Sequence, residues 1–303
     1  MSLSSISVII PVYQSAERLP VHVESLRKLR SQVHEFIWMI TKSPDGSHIT
    51  AGEAAKELGG QVLEVPRGLY QAWNAGIARA TGNFVYISTI GDTITPEGLS
   101  ALTVCMLKNQ ADVVFSPPII SPATRTNLKR SRHWPVFAFS KFLNRFAGLR
   151  IPKEKVLLLQ ILSGASGLLG SCASCLFETF YLQTNLFPTQ YHHYGDTAWT
   201  YQMLPEAILA FHPDPVARFF VHDHAKKRAV NKKQIYSLIN KAASQLRPPL
   251  STHIGQYIEA SLKIDKIRDP HPKFGWWWMP AAWIARSERN KSRRALIQAL
   301  QQF

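Results

Sequence analysis

Residues 67–95 read RGLYQAWNAGIARATGNFVYISTIGDTIT, from Arg67 to Thr95. Apolar side chains recur in this stretch at the spacing of one helix face, at Tyr70, Trp73, Ile77 and Ala80. Gly82-Asn83 ends the predicted helix, and residues 84–88 form a short apolar strand. The stretch therefore predicts a helix followed by a buried strand, which is the repeating unit of an α/β fold.

The predicted strand leads into Thr89-Ile90-Gly91-Asp92. Ligands of open α/β sheets bind at the carboxyl ends of the strands, and a glycine there lets a ligand approach the backbone. Asp92 is therefore a candidate for binding a metal ion or a diphosphate. The alternative is an ordinary strand end followed by a helix that begins at Thr95-Pro96.

Strands and helices also alternate on both sides of this stretch. Strands are predicted at residues 6–13, 35–40, 61–65 and 112–115, and helices at residues 15–30, 50–58 and 96–107. This alternation predicts an α/β fold with a mostly parallel sheet and helices on both faces. Tyr13, Asp45 and Asp92 each follow a different strand, so we expect all three at the same edge of the sheet.

The chain beyond Pro117 is less regular. It contains a Gly-, Ala- and Ser-rich segment at residues 164–174, predicted helices at 175–182 and 197–204, and predicted strands at 208–211 and 216–222. Asp196 directly precedes the second of these helices. Its carboxylate is either part of a functional site or a helix cap.

The net charge of +15 is unevenly distributed. Counting Lys and Arg against Asp and Glu, residues 1–120 carry −1, residues 121–160 carry +8, residues 161–224 carry −4 and residues 225–303 carry +12. A nearly neutral first part with two basic regions indicates a core with surfaces that meet an anionic partner. Nucleic acid, anionic lipid and acidic glycan are all compatible with this charge.

The sequence shows no leader with a basic start and no apolar run of about 20 residues. It has three cysteines, an odd number, so a reducing cytoplasmic location is expected. Cys172 and Cys175 form one CxxC pair without a second half. We interpret them as small buried residues in preference to zinc ligands.

Tryptophans near the C-terminus allow two interpretations. Trp276, Trp277, Trp278 and Trp283 either pack on the main core or form an interfacial belt at a membrane surface. The basic run at residues 286–294 would meet anionic lipid in the second case. Both interpretations are compatible with the sequence.

The order of these motifs resembles that of family 2 glycosyltransferases with the GT-A fold. The segments that carry the resemblance are Val8-Ile-Ile-Pro11-Val-Tyr13, Asp45-Gly46-Ser47, Gly68-Leu-Tyr70-Gln-Ala-Trp-Asn74-Ala-Gly76-Ile, Ala80-Thr-Gly82, Gly91-Asp92 and Gly195-Asp196. The third segment looks most like the colanic-acid-type branch of bacterial surface polysaccharide transferases. The resemblance implies a glycosyltransferase domain at residues 1–222, with a nucleotide-sugar half at 1–116 and an acceptor half at 117–222, and it leaves residues 223–303 as a basic helical extension.

The resemblance also implies roles for individual residues. The nucleotide-sugar donor would contact Pro11, Tyr13, Asp45, Arg67, Gly68, Tyr70, Asn74, Thr89, Gly91 and Asp92. A divalent metal, Mn²⁺ or Mg²⁺, would bind Asp92 and His222, or less favourably His224. Asp196 would act as the general base of an inverting reaction. From the residues alone, Arg67 is either a diphosphate contact or an exposed loop charge.

Some positions depart from the family pattern. Thr89 stands where Asn or Asp is common, so the metal motif keeps one carboxylate, and Pro44 replaces the first residue of an acidic pair. Gln71 replaces another acid. We therefore expect weak metal binding, with Arg or Lys helping to neutralise the diphosphate.

These inferences predict a bacterial enzyme of the cytoplasm, peripheral at the inner face of the cytoplasmic membrane. It would transfer a sugar from a nucleotide-sugar donor to a lipid-linked, lipopolysaccharide or polysaccharide acceptor. The first alternative is a catalytically inactive protein that binds a nucleotide sugar or an assembly partner. The second is a nucleic-acid-binding protein that uses the basic C-terminal region, although no known nucleic-acid motif is present.

Overall fold

The computed structural model describes residues 5–131, 134–163, 167–204, 206–221, 232–244, 246, 250–268 and 280–301. The strands are β1 (Ile6–Val12), β2 (Glu35–Ile40), β3 (Gln61–Glu64), β4 (Phe84–Ile87), β5 (Thr93–Ile94), β6 (Val113–Phe115), β7 (Ile119–Ser121), β8 (Leu149–Arg150), β9 (Cys175–Glu178), β10 (Leu209–Phe211) and β11 (Ala217–Phe220). The helices are α1 (Leu19–Leu29), α2 (Ser47–Leu58), α3 (Leu69–Ile77), α4 (Pro96–Asn109), α5 (Arg125–Ser131), α6 (Pro135–Ala138), α7 (Ser140–Leu143), α8 (Lys153–Ser163), α9 (Thr179–Thr184), α10 (Gly195–Met203), α11 (Lys232–Ala243), α12 (Leu250–Arg268) and α13 (Pro280–Gln301).

The main sheet has eight strands in the order β3-β2-β1-β4-β9-β6-β10-β8. Its first four strands run parallel, with β1 paired to β2 on one side and to β4 on the other. Their carboxyl ends therefore meet at one edge, as the alternation of strands and helices predicts. A second sheet has the order β5-β11-β7 and brings β11 next to the loop that follows β4.

The sequence-based prediction of a helix over residues 175–182 is wrong in its first half. Residues Cys175–Glu178 form β9, which runs antiparallel between β4 and β6, and helix α9 begins only at Thr179. Cys175, Leu176 and Phe177 are all buried, on a strand covered on both faces. A short, continuous apolar run of this kind does not distinguish a buried strand from a buried helix.

Helices cover both faces of the sheet, as predicted. All seven residues of β1 are buried, because successive side chains point to opposite faces of the sheet and both faces are covered by helices. Ile9 belongs to a core cluster with residues of α3, α8 and α10, whereas Val8 and Ile10 belong to a second cluster with residues of α1, α2 and α4. The two clusters explain why β1 reads as an uninterrupted apolar run.

The C-terminal helices pack on the first of these clusters. Ile239 of α11, Ile258 of α12 and Leu296 of α13 are buried in the same core cluster as Val156 of α8. The ammonium group of Lys155 also donates a hydrogen bond to the carbonyl of Leu300, at 2.7 Å. The helices beyond residue 231 therefore contribute to the core, and a domain boundary at residues 222–223 remains a prediction.

Within the described ranges, no helix has both the length and the apolar character needed to cross a membrane. Cys172 and Cys175 are buried, and burial raises the pKa of both thiols. Their packing agrees with the interpretation of the pair as buried residues. Trp276, Trp277 and Trp278 lie outside the described residues.

Candidate active site

A cleft of about 300 Å³ opens at the carboxyl edge of the parallel strands. Its lining comes from the segments after β1, β2 and β4 and from the start of α3, and consists of Pro11, Val12, Tyr13, Ser15, Arg18, Met39, Thr41, Arg67, Gly68, Leu69, Ala72, Thr89 and Ile90. The sheet topology places these segments together, since parallel neighbours end at the same edge.

Five residues predicted for the donor site line this cleft: Pro11, Tyr13, Arg67, Gly68 and Thr89. Sequence reasoning missed Ser15, Arg18 and Thr41. A signal for Thr41 was present, because it directly follows β2 as Tyr13 follows β1. Arg18 lines the cleft because α1 begins at the next residue, Leu19. The sequence defines the first residue of a helix less precisely than the presence of the helix.

The charged groups of the cleft are two arginines. The guanidinium of Arg67 lies over the ring of Tyr13, 4.9 Å from its centroid, and that of Arg18 lies 5.7 Å from the centroid of the Phe220 ring. Aromatic faces favour such cations and limit their movement. Among the described residues that line the cleft there is no acidic side chain, so its electrostatics suit an anion.

Asp45 does not line the cleft but connects two of its loops. Its carboxylate accepts hydrogen bonds from the N–H of Ala16 at 2.9 Å, from the hydroxyl of Ser43 at 2.7 Å, and from the N–H and hydroxyl of Ser47. Loss of hydration opposes ionisation, but these donors outweigh it and hold the pKa of Asp45 well below its usual range. Asp45 therefore fixes the segment after β1 against the segment after β2.

Asp92 belongs to the loop that follows β4 and is buried, with 3% of its surface exposed. Gly91 in this loop has φ 102°, in the region that favours glycine. One carboxylate oxygen of Asp92 accepts the N–H of Phe220 on β11, at 2.8 Å. Burial raises the pKa of Asp92 to about 7, although the Phe220 N–H and the charge of Arg18 act in the opposite direction.

His22 on α1 packs against the same loop. Its Nε2 lies 3.1 Å from the hydroxyl of Ser88, at the end of β4. Burial lowers the pKa of His22 to about 4, against smaller opposing contributions from the backbone of Asp92 and Ser88. A neutral imidazole therefore packs behind the loop, and this histidine adds no positive charge beside Asp92.

The described residues around Asp92 contain no cluster of side chains that could ligate a metal ion. No group of three or more His, Cys, Asp or Glu side chains that could hold a metal ion occurs among them. Asp92 has one oxygen committed to a backbone N–H, and Thr89 supplies no second carboxylate. His222, the other predicted ligand, and His224 lie outside the described residues.

Asp196 lies at the start of α10 and contacts Tyr70 of α3. The Tyr70 hydroxyl donates a hydrogen bond to the Asp196 carboxylate, and the N–H of Thr197 donates a second one at 2.6 Å. Desolvation raises the pKa of Asp196, and these two donors offset part of that effect. Burial of the Tyr70 hydroxyl, together with the charge of Asp196, raises the pKa of Tyr70, so its phenol keeps its proton.

The glycine before Asp196 is required by the Tyr70 ring. A Cβ on Gly195 would lie 2.4 Å from Cδ2 and 2.5 Å from Cε2 of that ring. Asp196 also borders a small cavity, of about 10 Å³, with Gly167, Gly170 and Cys172. The Gly-, Ala- and Ser-rich segment thus approaches Asp196, while Gly164, Ala165 and Ser166 lie outside the described residues.

Asn74 has a structural role in the fold. Its side chain pairs with the backbone of Phe187, donating to the carbonyl at 2.8 Å and accepting the N–H at 2.9 Å. Phe187 stacks on Tyr70 and meets Trp73 edge to face. Tyr70 and Asn74 therefore do not line the cleft; their predicted contact with a donor remains a prediction.

Helix α3 connects the two parts of the candidate site. Its first residue, Leu69, lines the cleft, while Tyr70 one residue later is directed to Asp196. The donor motif and the Gly195-Asp196 motif, far apart in sequence, thus both contact the first turn of one helix. This arrangement joins a cleft suited to an anionic ligand to a buried carboxylate.

Comparisons with known proteins agree with this architecture. The family model described as Glycosyl transferase family 2 matches residues 7–176. S. aureus TarS, residues 1–349 in complex with UDP-GlcNAc, has a TM-score of 0.59 and 14% identity over 98% of this chain and 92% of that chain. Glucosyl-3-phosphoglycerate synthase from Mycobacterium tuberculosis, in complex with Mn²⁺, UDP-glucose and phosphoglyceric acid, has a TM-score of 0.51 and 15% identity over 79% of each chain. No curated protein matches the sequence significantly.

Proposed function

The chain belongs to glycosyl transferase family 2 and is a glycosyltransferase, and we propose that it uses a UDP-sugar as donor. The observation that carries this proposal is the cleft at the strand ends, which has two arginines and no acidic side chain among its described lining residues. A nucleoside diphosphate is an anion, and the cleft volume of about 300 Å³ lies within the range of small-molecule sites. TarS and glucosyl-3-phosphoglycerate synthase, which share the fold, were crystallised with UDP-sugars.

In the proposed complex, the nucleoside lies near Tyr13 and the loop that Asp45 holds in place. Arg67 contacts the diphosphate, and Pro11, Gly68, Thr89 and Gly91 form the backbone surface beside it. Tyr70 and Asn74 act indirectly. Tyr70 orients Asp196, and Asn74 holds the turn at Phe187. Asp45 acts through its hydrogen bonds, since its carboxylate already accepts four donors.

Asp196 is the proposed general base of an inverting transfer. The acceptor hydroxyl oxygen attacks the anomeric carbon, the bond between that carbon and the diphosphate breaks, and the hydroxyl proton moves to Asp196. The leaving group departs as the nucleoside diphosphate, which retains the bonding electrons. Support comes from the Tyr70 and Thr197 hydrogen bonds, which hold the carboxylate in one orientation, and from burial, which raises its proton affinity.

The acceptor is proposed to be a lipid-linked or lipopolysaccharide-type glycan, following the resemblance to the colanic-acid-type branch. One face of α13 supports a membrane location. Trp283 is 70% exposed and Ile284 is 53% exposed, and Lys291 and Arg294 follow on the same face. Ala285 and Leu296, on the opposite face, pack into the protein. An apolar end followed by cations is the pattern of helices that lie at an anionic lipid surface.

Binding to the donor is tested by following thermal unfolding with UDP-, GDP- and TDP-sugars. We expect UDP-sugars to raise the melting temperature, because a ligand at a hundredfold excess over its dissociation constant adds about 2.7 kcal/mol to the free energy of unfolding. GDP- and TDP-sugars should act more weakly. A folded protein that responds to no nucleotide sugar, with or without Mn²⁺, would contradict the proposed function.

The membrane location is tested by sedimentation with lipid vesicles that contain or lack an anionic lipid. We expect wild-type protein to bind the anionic vesicles and to dissociate at high salt. The double variant Trp283→Ser with Ile284→Ser should bind weakly. The matched control is Val104→Ser, which removes an apolar side chain that is 64% exposed on α4. Equal binding of the double variant and the control would remove α13 from the proposal.

A further inference from the structure

Asp92, in the loop after β4, and Arg18, in the cleft lining, both contact Phe220 of β11. We propose that Arg18 binds the donor diphosphate together with Arg67, and that Asp92 positions Arg18 through β11, so that donor binding does not depend on a divalent metal. This inference rests on the proposed function, because it concerns how the same cleft holds a nucleotide sugar.

Asp92 is bonded to the backbone of β11. Its side chain is buried and absent from the cleft lining, and its carboxylate oxygen is bonded to the N–H of Phe220. This bond ties the loop after β4 to the end of β11, 128 residues further along the chain. Asp92 therefore has a defined structural partner, and the polar groups that face the cleft come from other residues.

Phe220 of β11 connects Asp92 to Arg18. The Phe220 backbone is held by Asp92, and the Phe220 ring lies against the guanidinium of Arg18. Because Arg18 is half-buried, its side chain has fewer conformations to lose on binding an anion than an exposed arginine has.

The cleft suits a diphosphate in charge and in hydrogen bonding. A nucleoside diphosphate sugar carries two negative charges on its diphosphate, and the cations among the described lining residues are the guanidinium groups of Arg18 and Arg67. The hydroxyl of Ser15 is buried, belongs to the lining, and makes no hydrogen bond among the described residues. An unsatisfied donor at this place fits a phosphate oxygen.

The described lining of the cleft suits a phosphate better than a divalent metal. Mg²⁺ and Mn²⁺ favour carboxylate and phosphate oxygens in octahedral arrangements. The described lining offers the hydroxyls of Tyr13, Ser15, Thr41 and Thr89 and no carboxylate. Arginine forms two parallel hydrogen bonds with a phosphate, so the available groups favour direct contact between protein and diphosphate.

The experiment is calorimetric titration of the full chain with UDP, in Mn²⁺ and separately in a chelator. Wild-type protein should bind UDP with similar affinity in both. Arg18→Gln should bind about 10- to 100-fold more weakly in both, the loss expected for a hydrogen-bonded charge pair. The matched control is Arg79→Gln, which removes an exposed arginine beyond the end of α3. Asp92→Asn can still accept the Phe220 N–H, and we expect a smaller loss that is the same in Mn²⁺ and in chelator.

Each other outcome has a defined meaning. If wild-type protein binds UDP only with Mn²⁺, or if Arg18→Gln binds as well as Arg79→Gln, the inference is wrong and the proposed function stands. If Asp92→Asn loses a binding gain that Mn²⁺ gives to wild-type protein, Asp92 is a metal ligand and the inference is wrong. If no UDP or UDP-sugar binds under either condition while the protein is folded, the proposed function itself fails.

Discussion

Replacing Asp196 by Asn is expected to lower kcat for sugar transfer by about 10²- to 10⁴-fold, the range for loss of a general base. The amide oxygen of Asn can still accept the hydrogen bond from the N–H of Thr197, so the local structure should persist. The variant cannot accept the proton of the acceptor hydroxyl. Donor affinity should change little, because Asp196 does not line the donor cleft. Initial rates and UDP titrations separate the two effects.

The matched control is Asp214→Asn, which neutralises an exposed aspartate in the turn between β10 and β11. We expect its kcat to equal that of wild-type protein. If Asp196→Asn transfers sugar as fast as this control, the base assignment is wrong and Asp196 only supports the start of α10. A fall in UDP affinity equal to the fall in kcat would instead indicate that the variant disturbs the cleft.

The pH dependence of kcat provides an independent readout. The base must be ionised to act, and burial raises the pKa of Asp196 above that of a free carboxyl group. The acidic limb of the profile should therefore lie at higher pH than about 4. Tyr70→Phe removes a donor that favours the carboxylate form, so this variant should move the limb to still higher pH.

The sheet edge was predictable from the sequence because its signals are local. Apolar runs alternate with helical spacing over residues 6–115, and parallel strands place the residues that follow them at one edge. Tyr13 and Thr89 were found in this way, and Thr41 could have been found by the same rule. The strand β9 was not predicted, because its partners β4 and β6 lie far from it in sequence.

The roles of the buried polar residues were not predictable, because their partners are distant in the chain. Asp92 bonds to Phe220, Asn74 bonds to Phe187, and Tyr70 bonds to Asp196. In each case the motif pattern indicated an important polar residue but did not show what it touches. Contacts of this kind depend on how separate elements pack, which neither spacing nor composition defines.

Gly195→Ala is expected to lower the free energy of unfolding by about 1–3 kcal/mol, the usual cost of overpacking a core. The backbone at Gly195 is helical, with φ −60° and ψ −37°, so alanine suits its conformation. The change in the free energy of unfolding is expected to be unfavourable because of a steric clash, since the new Cβ would lie 2.4 Å from the Tyr70 ring. That ring is 3% exposed and packed between Trp73 and Phe187, so it cannot move without disturbing both.

Gly52→Ala is the matched control, because it is the same substitution inside α2 where a Cβ would meet nothing within 4 Å. Alanine is the better helix former by about 1 kcal/mol, so this variant should be slightly more stable than wild-type protein. Urea unfolding of both variants measures the difference. Equal stability would show that the Tyr70 ring yields easily. If Gly195→Ala is destabilised and its kcat also falls, the displaced Tyr70 hydroxyl no longer orients Asp196, and the packing around Gly195 couples the stability of the fold to the position of the base.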